Sequence, residues 1–219
     1  MSLRHRVALS ALALSALLMP ALPARVGAEG RVVFEQNFEK LPKGELPPEF
    51  LVLNGVFAIV EEQGSKLVEL PGSPLEDFGF LFGPSEASGQ ECGARIFGTK
   101  QGRKFPTFAL GVNGVSGYKI RVAPAKKAIE LLKGDDVSKS TAFEWKSGEW
   151  THLKLRVRKT SDGVKVEAKA WQGDKEPAEW ALSLDEKEPM PPGKSGAWGM
   201  PYAGTPIRFD DLRVQSVSP

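Results

Sequence analysis

The stretch from Thr151 to Trp171 constrains this chain more than any other. Thr151, Leu153, Leu155 and Val157 alternate with His152, Lys154, Arg156 and Arg158. After Asp162-Gly163, Val164, Val166, Ala168 and Ala170 alternate with Lys165, Glu167, Lys169 and Trp171. A period of two sends successive side chains to opposite faces of an extended strand. Asp-Gly between two such runs is a turn signal, so the stretch predicts an antiparallel hairpin. One face is apolar and the other charged, which fits a sheet with one face to solvent. Glu167 is expected opposite Arg156 or Arg158, depending on the loop register.

The rest of the chain repeats this logic in short segments. Strands are expected at Val32–Phe38, Phe50–Leu53, Gly55–Glu61, Lys66–Leu70, Gly79–Phe82, Glu91–Gly98, Thr107–Val112 and Tyr118–Ala123. In the first, Val32, Phe34 and Phe38 share a face. Ala125–Lys133 is rich in helix formers, but its neighbours are closely spaced strands, so it is read as a strand. Ala178–Leu184, Gly196–Gly199 and Ile207–Ser216 complete the set. With 23 Gly and 17 Pro as turn formers, the pattern is that of an antiparallel sandwich or barrel of about a dozen strands. The last strand slips phase: Ile207 and Phe209 share one parity, Leu212 and Val214 the other. A bulge at Asp210-Asp211 would return both pairs to the core.

Residues 1–28 have the three parts of a secretory signal: a basic start at Arg4, His5 and Arg6, an apolar run Val7–Leu18, and small residues at Val26-Gly27-Ala28. Pro20 and Pro23 break a helix soon after the run, which is too short to span a bilayer. The expectation is an exported protein, periplasmic or extracellular, with residues 29–219 as one domain and no membrane attachment after cleavage. Of the 29 Lys and Arg, Arg4, Arg6 and Arg25 fall in the leader, leaving 26 bases against 27 acids and a net charge of −1. A near-neutral chain without a basic run argues against nucleic acid as a partner. The single cysteine, Cys92, excludes an internal disulfide and a cysteine-based zinc cage. It is read as a small buried hydrophobe. After cleavage His152 is the one histidine left, which argues against a serine-type triad.

Three stretches resemble the concanavalin A-like lectin/glucanase superfamily, in particular the laminin G-like jelly rolls of secreted bacterial proteins. They are Val33-Phe34-Glu35-Gln36-Asn37-Phe38-Glu39, Gly148-Glu149-Trp150-Thr151-His152-Leu153-Lys154-Leu155, and Gly193–Gly199 followed by Phe209-Asp210-Asp211-Leu212-Arg213-Val214. The resemblance implies an all-β, two-sheet antiparallel jelly-roll β-sandwich whose first and last strands pair. It also looks like the 3-keto-disaccharide hydrolase-type jelly rolls, but their Asn-Ser-Gly motif and the Glu-x-Asp-x-x-Glu motif of the glucanases are missing. No catalytic residue can therefore be carried over.

Adjacent acids on a strand face opposite ways, so pairs such as Glu61-Glu62 and Asp210-Asp211 cannot flank one glycosidic bond. Calcium is a better use for acids in irregular backbone, because it takes several oxygens at one point. Related jelly rolls often hold a structural calcium, and pairing of the chain ends would bring Glu35 or Asn37 to Asp210 or Asp211. Flat aromatic rings suit sugars. Trp198 lies in Ala197–Gly204, a glycine- and proline-bordered stretch read as a loop, and Trp198 with Tyr202 would make a stacking platform there. Trp171 falls on the polar face of its strand and is expected to be partly exposed. Trp145, Trp150 and Trp180 are expected in core and loop packing, and His152 on the surface. The function expected is a secreted, non-catalytic domain binding a poly- or oligosaccharide. The alternative is a secreted glycoside hydrolase or polysaccharide lyase of the same fold.

Overall fold

A computed structural model of the chain describes residues 30–72 and 76–217, so the expected leader lies outside the described residues. The strands are β1 (Val32–Gln36), β2 (Gly44–Glu45), β3 (Leu51–Asn54), β4 (Ala58–Glu62), β5 (Ser65–Leu70), β6 (Phe78–Glu86), β7 (Gln90–Phe97) and β8 (Thr107–Val112). They continue as β9 (Tyr118–Ala123), β10 (Ala128–Lys133), β11 (Asp136–Ala142), β12 (Thr151–Thr160), β13 (Gly163–Gln172), β14 (Leu182–Glu186), β15 (Gly193–Met200) and β16 (Ile207–Ser216). They form two antiparallel sheets. The nine-stranded one runs β14-β13-β12-β7-β16-β5-β4-β2, with β1 also on β16, and the seven-stranded one runs β11-β10-β9-β8-β15-β6-β3. This is the expected two-sheet antiparallel sandwich.

The β12–β13 hairpin forms as its alternation requires. Arg156 lies directly across from Glu167, and Leu153, Leu155, Val157, Val164, Val166 and Ala168 are buried. The chain ends pair: Phe34 faces Val214, Glu35 faces Arg213 and Gln36 faces Leu212. The phase slip in β16 is resolved by a bulge. The ladder to β7 shifts between Asp210 and Arg213, and Asp211 has a left-handed φ of 50°. As a result Ile207, Phe209, Leu212 and Val214 are all fully buried.

Two local expectations are corrected. β1 stops at Gln36, and Phe38 reaches the core through a left-handed φ of 62° instead of by strand alternation. The helix formers after Ala123 make one 3₁₀ turn, Pro124–Lys126, before Lys127 (φ 52°) resets the backbone into β10. Between the sheets the core is aromatic at one end. Phe80 meets Phe57 edge-on at 5.0 Å and Phe209 at 5.5 Å, arrangements worth about 0.5–1.5 kcal/mol each beyond burial. Cys92 is fully buried, and burial pushes its thiol well up, as a packing residue requires.

Candidate functional site

The outward side chains of the nine-stranded sheet stand in rows across β16, β7, β12 and β13. One row is Gln215, Glu91, Arg156 and Glu167; the next is Arg213, Gly93, Lys154 and Lys169. A third is Asp210, Arg95, His152 and Trp171, and Arg208 and Phe97 start a fourth, beside Trp150. Pairing register alone makes these rows, so residues over a hundred positions apart become neighbours.

Charge is closely balanced along them. Glu167 accepts hydrogen bonds from Arg156 Nη2 at 2.8 Å and from Arg158 Nε at 3.1 Å. Burial raises its carboxyl, but those two guanidinium bonds outweigh burial and hold it below the ordinary range. The bulge sets both aspartates on one guanidinium: Arg95 Nη2 lies 2.6 Å from Asp210 and Arg95 Nε 2.8 Å from Asp211. Asp210 is buried, and there burial wins over the Asp211 N–H and Arg95, so its carboxyl lies above the ordinary range.

Aromatic rings lie among these charges. Arg95 sits 4.6 Å over Trp150, which is 5.5 Å from Phe97. Arg156 sits 4.4 Å over Trp180. His152 stacks on Trp171 at 5.0 Å, nearly parallel, and burial, then Arg95, lowers its pKa. Two shallow grooves open on this face. One, of about 270 Å³, has Phe97 and Trp150 beside Arg95, Arg208, Glu62 and Asp210. The other, of about 370 Å³, lies over Gly93 between Lys154 and Arg213.

The residues expected to bind ligand are not brought together. Trp171 is on this face and half-buried, as expected. Trp198 is not in a loop. It lies within β15, on the outer face of the seven-stranded sheet, and is only 6% exposed. A Cβ at Gly79, Gly111 or Gly196 would fall within 2.8 Å of its indole, so the ring lies flat on a floor of three glycines. Lys119 caps it at 4.9 Å, and recesses of about 10 and 30 Å³ adjoin it. Tyr202 is exposed in the turn beyond β15, and among the described residues no ring contact joins it to Trp198. Trp150 and Trp180, expected in packing, are half-buried and cover arginines on the charged face. Trp150 precedes β12, where periodicity is silent, and Trp180 precedes β14, which begins at Leu182 and not at Ala178 as expected; the alternation of Arg156 and Lys169 with apolar residues was the signal available for their surroundings.

Jelly rolls of this kind imply calcium, but the expected ligand set does not fit it. A guanidinium already occupies the point where the carboxylates of Asp210 and Asp211 converge. Glu35 is exposed and faces Arg213, and Asn37 accepts from the Glu39 N–H. Among the described residues no three His, Cys, Asp or Glu converge as metal ligands.

No family model and no curated protein matches the sequence. Solved structures match the fold. A Bacillus subtilis protein of unknown function with a galectin-like fold is 13% identical, with a TM-score of 0.60 over 87% of this chain and 99% of that one. The carbohydrate recognition domain of Emp47p is 7% identical, with a TM-score of 0.55 over 85% of this chain and 97% of that one. The exoplasmic/lumenal domain of VIP36, bound to Ca²⁺ and mannose, is 13% identical, with a TM-score of 0.51 over 77% of this chain and 82% of that one. The fold of this chain is the concanavalin A-like, galectin-like jelly roll.

Proposed function

We propose that this chain is an exported, non-catalytic carbohydrate-binding domain, and that the outer face of its nine-stranded sheet holds the glycan. The observation that carries this is the groove beside Trp150 and Phe97. It joins aromatic surface to planar polar groups, the guanidinium groups of Arg95 and Arg208 and the carboxylates of Glu62 and Asp210. Such a mixture suits a sugar, whose CH faces stack on rings while its hydroxyls bridge charged donors and acceptors. Trp171 extends the aromatic surface along the same face. The non-catalytic reading rests on the carboxylates. Glu62 lies 2.7 Å from Arg208, and Asp210 is held by Arg95. Glycoside hydrolysis needs one carboxyl free to give a proton and another free to attack or activate water.

A glycan array on the purified protein, with detection of reducing ends in the same samples, tests this. Bound glycan without cleavage is expected, and Trp150→Ala should abolish most of the binding. Release of reducing ends would establish the hydrolase alternative, and no glycan binding at all would end the proposal.

A further inference from the structure

The outward residues of β7 are Glu91, Gly93, Arg95 and Phe97, and Gly93 alone lacks a side chain. The fold does not demand glycine there. Gly93 has no left-handed φ, and a Cβ built on it would meet only the Leu153 carbonyl oxygen, at an ordinary 3.7 Å. Glycine within a strand weakens it. Here the missing side chain opens the 370 Å³ groove.

Register sets cations on both sides of this groove, over an acidic floor. Arg213 lies directly across from Gly93 on one side and Lys154 on the other, with Lys169 next in the row, so the row contains no acid. The Arg213 guanidinium is half exposed, and the nearest carboxylate, Glu35, is 3.7 Å away and itself mostly in solvent. The floor acid, Glu91, accepts from the Gln215 amide at 2.9 Å and lies 3.7 Å from the Lys154 ammonium. Lys154 is held by Glu176 at 2.8 Å, which fixes its ammonium beside the groove.

Building on the carbohydrate-binding reading, we infer that the Gly93 groove receives a carboxylate-bearing sugar unit, so that the glycan on this face is a uronate-containing, acidic one. A planar guanidinium matches a carboxylate oxygen for oxygen, and the ammonium across the glycine adds a second charge. Gly93 and Phe97 are four residues apart on one strand, roughly 13 Å. One short oligosaccharide therefore spans both grooves, stacking on Trp150 at one end and placing its carboxylate between Arg213 and Lys154 at the other.

Calorimetric titration of the protein with galacturonate, glucuronate-containing and mannuronate tetramers tests this, alongside their carboxyl-reduced forms and a sulfated neutral tetramer. At least one uronate tetramer should bind, and its reduced form about tenfold more weakly. Gly93→Val should weaken the uronate tetramer at least about tenfold by filling the groove, with the melting temperature unchanged or raised. Arg213→Gln, at an exposed position that folding tolerates, should erase most of the preference for the acidic form. Equal binding of acidic and reduced forms, lost in Trp150→Ala, would leave the carbohydrate-binding reading standing and overturn the acidic groove. Preference for the sulfated tetramer would overturn the carboxylate assignment. Binding of none of the glycans, here or on the array, would overturn both readings.

Discussion

The two outer faces of the sandwich carry the same large aromatic residue and use it in opposite ways. On the seven-stranded sheet, Trp198 lies flat on Gly79, Gly111 and Gly196 under Lys119, sealed from solvent. On the nine-stranded sheet, Trp150, Trp171 and Trp180 stand among Arg95, Lys154, Arg156 and Lys169 and stay half-buried. The indole is the same; its neighbours across the strands differ. Glycines on three strands let a ring sink onto the backbone, whereas long cationic chains in the same positions prop a ring at the surface. A tryptophan on a sheet is therefore a wall or a platform according to what its rows supply.

The sharpest way to break this contrast is Trp198→Ala. It should cost about 3–5 kcal/mol of stability, as for a buried Trp. Denaturant unfolding would measure this, and glycan affinity should be unchanged at temperatures where the variant is folded. Weakened binding in the folded variant would move the platform to the other sheet. Arg95→Ala should come next, at about 2–4 kcal/mol, because it strands the buried Asp210 carboxylate. Asp210→Asn in the same background should recover part of that loss. Trp150→Ala sharpens the contrast from the open side. It should cost only about 1–2 kcal/mol of stability while lowering glycan affinity at least about tenfold.

A smaller effect comes from His152. Its folded pKa is depressed, so between the folded value and the ordinary value of about 6.5 the unfolded chain binds more protons. Stability is then fully present above about 6.5 and is lost as pH falls through the folded value. Melting temperatures measured downward from pH 7 should fall less steeply in His152→Gln than in the parent. The smallest expected effect is that of calcium. Because Arg95 holds Asp210 and Asp211, melts with calcium and after treatment with chelator should coincide. A higher melting temperature with calcium would restore those aspartates as a cation site.

What was legible in the chain follows from the range of the signal. The hairpin, the bulge in β16 and the pairing of the chain ends come from alternation within single segments or from a resemblance carried by them. The bulge was legible because four apolar residues in ten could not reach one core without it. The surroundings of Trp198 were not. Its floor is made by Gly79 and Gly111, each more than eighty positions away, and only pairing with β6 and β8 places them beneath it. Trp150 was missed because it precedes its alternating run, and Trp180 because the strand expected from Ala178 begins only at Leu182. The partner of the two aspartates was not legible: Arg95 is outward on β7, and nothing in Phe209-Asp210-Asp211 reveals that a guanidinium stands across from it.

The position of β16 also dictates how this sheet can close. The strand comes last among those described, yet it lies inside the nine-stranded sheet, between β7 on one side and β5 and β1 on the other. Arg31 and Ser216 hydrogen-bond across 185 positions, so closing the sheet means closing nearly the whole chain into a loop. Until those ten residues dock, β7 and β5 present open edges with nothing between them. Folding should be slow, in keeping with its long-range contacts.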